Sequence, residues 1–210
     1  GLFSGKKGSE KAAGRISGIP EDRITALLLA DQNLLVGTEI NGLYMLNIRN
    51  NAVRKIPYEA YSLGNSVNSI ALHRDGFYLG TKDGIYLLDK DLMEKAHFTT
   101  NDGLPHNNIE SVYVDSKNRL LFATKASGIY QLDEGGETKN LYPAGESEIE
   151  FRSIAEDEKG NIWAATYGDG VFRFTRDSVF HFTVGLGLKA DFCYSIISGD
   201  NQSIWVGHRL

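Results

Sequence analysis

NDGLPHNNIESVYVDSKNRLLFATKASGIYQLD, residues 101–133, runs through a polar turn, an alternating strand, a second turn, a strand ending in Ala-Thr, a Gly and a third strand. Ile109, Ser111 and Tyr113 alternate with Glu110, Val112 and Val114, the period-two pattern of a β-strand. No segment of this stretch has helical period or length. The decisive question is whether the pattern occurs once or many times.

It recurs along the whole chain. A short Gly-Thr-like step stands at Gly37-Thr38, Gly80-Thr81, Ala123-Thr124, Ala165-Thr166 and Gly207-His208, at spacings of 43, 43, 42 and 42 residues. A second Gly follows each of the first four steps, opening GLYMLN at Gly42, GIYLLD at Gly84, GIYQLD at Gly128 and GVFRFT at Gly170. Upstream lies an alternating segment beginning at Ile24, Val67, Ile109, Phe151 and Cys193. An outer strand such as EKAHFTT or DSVFHFT completes the unit. Four short strands in 42 to 43 residues predict a blade of an all-β propeller, with about five blade equivalents in the chain. Small residues at the step suit close approach of inner strands, and no helix is expected.

The unit boundaries follow from the spacing. Residues 1–23 read as a half blade, 24–66, 67–108, 109–150 and 151–192 as blades, and 193–210 as a second half blade. Gly1-Leu2-Phe3 resembles the third-strand openings, and Gly207-His208-Arg209-Leu210 ends where the next second Gly is due. Two arrangements satisfy this pattern: a closed five-bladed ring in which the two ends pair, or part of a larger propeller.

Composition narrows the function classes. Of the 210 residues 41% are hydrophobic and 23% charged, which fits a globular domain. A net charge of −5 with no basic run argues against nucleic acid as a partner. No apolar stretch approaches the length of a membrane helix, so no membrane contact is expected from this segment. The single cysteine, Cys193, occupies the slot of Ile24, Val67, Ile109 and Phe151 and is expected to be a small buried side chain rather than a reactive thiol.

The residues beside the repeat carry the chemistry. Asp31, Asp75, Asp115, Asp157 and Asp200 recur once per unit and read as turn residues bonding nearby amides. A calcium site needs six to eight converging oxygens, so no metal and no cofactor are expected. His97 and His181 recur with the unit period in two HFT phrases and read as outer-strand packing. Trp163 and Trp205 share one strand slot and read as packing between blades. Residues that vary from unit to unit are the better ligand candidates. In a propeller the loop into the first strand and the loop between the second and third lie on one face. That face would carry Arg23, Asn65, Lys82, His106, Asn107 and Lys125 from the first three units, with Tyr167, Asp169, Asp191, His208 and Arg209 from the last two. This mix of amide, cation, carboxylate and aromatic suits hydrogen bonding to a sugar or an acidic oligosaccharide.

The repeat resembles that of the two-component regulator propeller family. Asp102 to Pro105 with Ile109 matches its "DGLP…I" opening, and Asp157 to Phe174 matches its "D.kGniWaaT..dGv.rf" body. The resemblance implies the periplasmic sensor region of a hybrid histidine kinase anchored in the inner membrane, of the kind with which gut Bacteroidetes detect polysaccharide fragments. Its expected function is non-enzymatic ligand sensing, with any kinase activity outside these residues. The partners it implies are an oligosaccharide or other small ligand, neighbouring propeller and receptor domains, and a second copy if the receptor is a homodimer. A stand-alone lectin or interaction scaffold and a propeller lyase of the streptogramin-cleaving type are the alternatives. The lyase would need His106 and His208 to converge with a Glu such as Glu148 or Glu150.

Overall fold

The computed structural model describes residues 2–4, 14–57, 66–125, 128–133, 136–142 and 149–209. Four complete four-stranded antiparallel sheets follow one another along the chain. The first is β3 (Ile24–Ala30), β4 (Asn33–Thr38), β5 (Leu43–Asn47) and β6 (Val53–Ile56). The second is β7 (Val67–His73), β8 (Gly76–Thr81), β9 (Gly84–Asp89) and β10 (Glu94–Phe98). The third is β11 (Ile109–Val114), β12 (Leu120–Thr124), β13 (Gly128–Leu132) and β14 (Thr138–Asn140). The fourth is β15 (Phe151–Glu156), β16 (Ile162–Thr166), β17 (Val171–Phe174) and β18 (Val179–Phe182). Strands in each sheet run in sequence order from inner to outer, as propeller blades do.

At the two ends stand two-stranded sheets. One pairs β1 (Phe3–Ser4) with β2 (Gly14–Arg15), and the other pairs β19 (Cys193–Ser198) with β20 (Ile204–His208). Among the described residues these two sheets are not paired with each other.

The hydrophobic core lies between sheets, not within one. Leu35, Leu43 and Ile56 of the first blade meet Val67, Leu79 and Tyr86 of the second. Ala71 and Ile85 meet Ile109, Val112 and Phe122 at the next junction. Leu121 and Ile129 meet Phe151, Ile154 and Phe172 at the third, and Ala165 and Val171 meet Cys193 and Ile196 at the fourth. A blade cannot bury its own faces, so each is stable only against its neighbours. The fully buried Phe151 contributes about 2–3 kcal/mol through burial alone.

The small residues of the step serve this junction. A Cβ on Gly37 would lie 2.8 Å from Cγ1 of Val67, and one on Gly80 would lie 2.9 Å from Cγ2 of Ile109. The close approach is therefore to the first residue of the next blade. Polar bonds repeat there too: the Ser69 hydroxyl accepts from the Val112 amide at 3.1 Å, and the Ser153 hydroxyl accepts from the Ile196 amide at 3.1 Å. At three of the steps the Thr closes its own loop. Thr38, Thr81 and Thr166 donate to the carbonyls of Gly42, Gly84 and Gly170 at 2.8, 2.9 and 2.8 Å. Gly84 and Gly170 hold φ of +108° and +73°, where a side chain would run into the carbonyls of Phe98 and Phe182.

Three expectations need correction. Two single 3₁₀ turns, Thr100–Asp102 and Val184–Leu186, interrupt the all-strand reading. They are too short to leave a periodic signal, and the first is nucleated by a Thr99–Asp102 capping box. Turn bonding by the repeated Asp holds only in the longer turns. Asp115 accepts from the amides of Lys117 and Arg119 at 3.0 and 2.8 Å, and Asp157 from those of Lys159 and Asn161 at 3.0 and 2.9 Å. At Asp31 and Asp75 the strands are joined by only two residues. Asp31 itself takes the left-handed conformation at φ +53°, and the Asp75 carboxylate pairs with Arg74 at 3.1 Å. Asp200 contributes its carbonyl, which accepts from the Ser203 amide. Finally, Trp205 is 65% exposed, because no blade covers its face among the described residues.

Other packing assignments match the expectation. Cys193 is buried, and burial pushes its thiol pKa up, with the Asp191 charge adding to the rise. His97 stacks on Tyr86 at 3.9 Å and His181 on Phe172 at 4.1 Å. Trp163 packs against the fourth junction cluster of Ala165, Val171, Cys193 and Ile196, and stacks on Phe182 of its own sheet at 5.4 Å.

Candidate functional site

In four of the five described units the pairing of the first and second strands continues by one bond into the loops at the same end of the sheet. The residue after the step donates its amide to the residue before an inner strand: Glu39 to Arg23, Lys125 to Asn108, Tyr167 to Glu150 and Arg209 to Phe192, at 2.9 to 3.1 Å. These bonds set Arg23, Lys125, Tyr167 and Arg209 at one end of the sheets, with Lys82, His106, Asn107, Asp169 and Asp191 in the same two loop classes and His208 at the end of β20. Asn65 lies outside the described residues, as does Glu148.

Several of these residues serve their own blade. The Asn107 side chain accepts from the Thr100 amide at 2.7 Å, and the Asp191 carboxylate accepts from the Val184 amide at 2.8 Å. Each thereby anchors one of the two 3₁₀ turns. Their carbonyls also accept from the second-Gly amides of Gly84 and Gly170, at 2.7 and 2.9 Å. The Asp169 carbonyl contacts Nε2 of His181 at 2.5 Å, and His106 accepts from the Asn108 amide at 2.8 Å. Arg23 stands exposed beside Glu39 at 3.8 Å. Asp22, one residue earlier, caps the facing loop through the amides of Ile40 and Asn41. Burial works to raise its pKa, but the bonds from Ile40, Asn41 and Arg23 outweigh it and hold the carboxyl below its ordinary value.

The residues that differ most from blade to blade lie one step deeper. In every described inner strand the register skips one residue after the first: Thr25, Asn68, Glu110, Arg152 and Tyr194. Such a bulge re-aims a side chain out of the alternating pattern. Each of the five reaches toward an adjacent blade. Thr25 donates to the Val67 carbonyl, and Asn68 donates to the Ile109 carbonyl at 2.8 Å. Arg152 bridges Glu110 at 2.8 Å and Glu150 at 2.6 Å. Tyr194 meets Tyr167 edge to face at 5.6 Å.

The last two blades gather these side chains into a ledge. Tyr167, Phe192 and Tyr194 form an exposed aromatic cluster, with Tyr167 5.2 Å from Phe192. The Arg152 guanidinium lies over the Tyr167 ring at 5.3 Å. Of the residues anticipated on this face, Tyr167 lies at the centre of the ledge, and Arg209 is tied to it through the Phe192 carbonyl. Phe192, Tyr194, Arg152 and Glu110 were not anticipated, and Glu150 was considered only as the acid of a lyase. The signal of Glu110, Arg152 and Tyr194 in the sequence is the position after the first strand residue, a slot that changes from Thr to Asn, Glu, Arg and Tyr. Among the described residues no group of three or more His, Cys, Asp or Glu is placed to hold a metal ion. His106 belongs to the loop before β11 and His208 to the end of β20.

Residues 145–168 match the family model described as two component regulator propeller. The match spans β15 and β16 of the fourth blade. The extracellular domain of a hybrid two component system from B. thetaiotaomicron shares this blade array, at TM-score 0.78 and 20% identity over 95% of the present chain and 28% of its own. A second such domain, from a one component system of B. thetaiotaomicron, aligns at TM-score 0.60 and 18% identity over 89% of this chain and 31% of its own. The chain thus spans about a third of the length of these relatives or less. Virginiamycin B lyase from Staphylococcus aureus aligns at TM-score 0.72 and 14% identity, over 90% of this chain and 64% of its own. At such identities the likeness establishes the propeller fold alone. No curated protein sequence matches the chain. Among the described residues no helix is long and apolar enough to cross a membrane.

Proposed function

We propose that these blades are part of the periplasmic sensor region of a two-component receptor, and that they bind an oligosaccharide without chemical turnover. The ledge of Tyr167, Phe192 and Tyr194 carries the reading. Exposed aromatic faces beside a fixed guanidinium suit the apolar face and hydroxyl rim of a sugar ring. Arg152 is held in place by Glu110 and Glu150, so little side-chain entropy is lost when it donates to a ligand. The variation of the bulge residues also favours one site over five equivalent ones, which supports a sensor over a multivalent lectin. Binding would be transmitted by the ligand's differential affinity for two arrangements of neighbouring receptor domains or of a homodimer.

Isothermal titration against a panel of neutral oligosaccharides tests this reading. One site per chain is expected, and Tyr167→Ala should weaken it by about tenfold or more, as loss of a central aromatic anchor does. Product analysis of the same mixtures should find the saccharide intact. Several equivalent sites per chain would replace the sensor with a lectin, and cleaved or eliminated product would make the chain an enzyme.

A further inference from the structure

At the opposite ends of the strands, a groove of about 820 Å³ opens between the third and fourth blades. Five cations line it, Lys117, Arg119, Lys139, Lys159 and Arg176, against one carboxylate, Asp177. That is unexpected in a chain whose net charge is −5. Nearby carboxylates are committed elsewhere. Asp115 is buried behind Arg119 and binds its Nε at 2.7 Å. Glu156 accepts from the Ser116 amide and hydroxyl, and Asp157 from the Trp163 indole at 2.9 Å. Lys117, Lys139, Lys159 and Arg176 have no carboxylate within ion-pair distance among the described residues.

The same architecture one step back in the array shows that the cations are not needed to build a junction. Between the first and second blades the corresponding groove, about 300 Å³, is lined by Leu29, Leu35, Met45 and Leu72, with Lys90 and Asp31 as a single charge of each sign. Lys117 and Lys159 occupy equivalent turn positions 42 residues apart, so the array turns two like charges into one groove. Like charges left close together without partners lower stability, and a bound anion removes that cost.

We infer that this groove is a second binding site, for an acidic oligosaccharide carrying carboxylate or sulfate groups. Its size lies in the range of small-molecule sites. The cations meet the acidic groups. Between them Gln131, Asn140 and Asn161, with the Ser178 hydroxyl, offer the neutral donors and acceptors that sugar hydroxyls need. A phosphate-dense ligand of similar charge would leave these groups without use. The site is separate from the aromatic ledge and does not rest on the ledge being a sugar site.

Fluorescence polarisation with labelled sulfated maltopentaose, with neutral maltopentaose and inositol hexakisphosphate as competitors, tests the inference. The sulfated sugar is expected to bind one site per chain and to weaken steeply with added salt. A Lys117→Gln, Lys139→Gln, Lys159→Gln variant should lose about tenfold or more in affinity, with a melting temperature that does not fall, since the like charges it removes have no partners. Tyr167→Ala should leave this binding untouched. Equal competition by neutral maltopentaose, or full affinity in the triple variant, would overturn the site. Tighter competition by inositol hexakisphosphate than by unlabelled sulfated sugar would overturn the saccharide assignment.

Discussion

The junction at Gly80 and the face at Gly207 are built from the same parts, and only the first has a partner. At Gly80 the next blade inserts Ile109 against the glycine, and the hydroxyl of Ser69 binds the Val112 backbone. At Gly207 the same step ends an open face. Ser195 stands where Ser69 and Ser153 stand, but its hydroxyl turns back over Gly207. Ile197 and Trp205, paired across β19 and β20, are 62% and 65% exposed. At the other end of the array Leu27 and Leu29 of β3 are also exposed. The comparison separates what a blade is from what a junction does. The β19–β20 pair keeps its register with only one face covered, by the fourth blade, whereas burial of Ile197 and Trp205 requires a second neighbour. Stability in such an array resides in the interfaces.

Matched substitutions at the two places give the largest contrast. Phe151→Ala removes a fully buried ring from the third junction and should cost about 3–5 kcal/mol. Trp205→Ala removes an exposed one and should cost less than about 0.5 kcal/mol. Urea unfolding followed by circular dichroism measures both, and comparable losses would mean that the open face is covered in solution.

Gly80→Val forces a branched side chain into the Ile109 contact, and overpacking of this kind costs about 1–3 kcal/mol. Gly207→Val meets chiefly the Ser195 hydroxyl, which can rotate away, so its midpoint should hardly move. A smaller difference separates Ser153→Ala from Ser195→Ala. The first leaves the Ile196 amide without its acceptor and should cost about 1 kcal/mol, while the second should be neutral.

The smallest expected effect concerns acid. Burial works to raise the pKa of Asp157, but bonds from the Trp163 indole, the Asn161 side chain and the amides of Asn161 and Lys159 outweigh it and lower it. Its contribution is therefore complete above the unfolded carboxyl value, about 3.9, and fades as pH falls through the lower folded value. Melting curves of wild type and Asp157→Asn should converge as the pH drops below about 4. Parallel curves down to the acid limit would remove Asp157 from the account.

The blades were legible in the sequence because burial between sheets imposes the same period on every unit. The first strand residue and the step answer a contact repeated between blades, and the second Gly answers one repeated within the blade. What lies off that period was not legible. A bulge residue looks like any alternating strand position until the register is known, so Glu110 and Arg152 read as ordinary strand residues. Asn107 and Asp191 vary in type but share one backbone task, which concealed their turn-anchoring role. The groove between the third and fourth blades gathers Lys117, Lys139, Lys159 and Arg176 from four separate turns or strands, and no spacing in the chain announces that convergence. The slot of Trp205 is covered where a next blade lies against it, as at Leu35 and Leu121, and none lies there among the described residues.

Hydrogen–deuterium exchange of the protein with and without the tightest neutral oligosaccharide from the titration panel tests the central claim most directly. Slowed exchange confined to the stretches around Arg152, Tyr167 and Phe192–Tyr194, with the turns at the opposite end unchanged, is the predicted result. Protection at Lys117 and Lys159 instead, or no protection on the loop face at saturating ligand, would contradict the ledge as the sensing site.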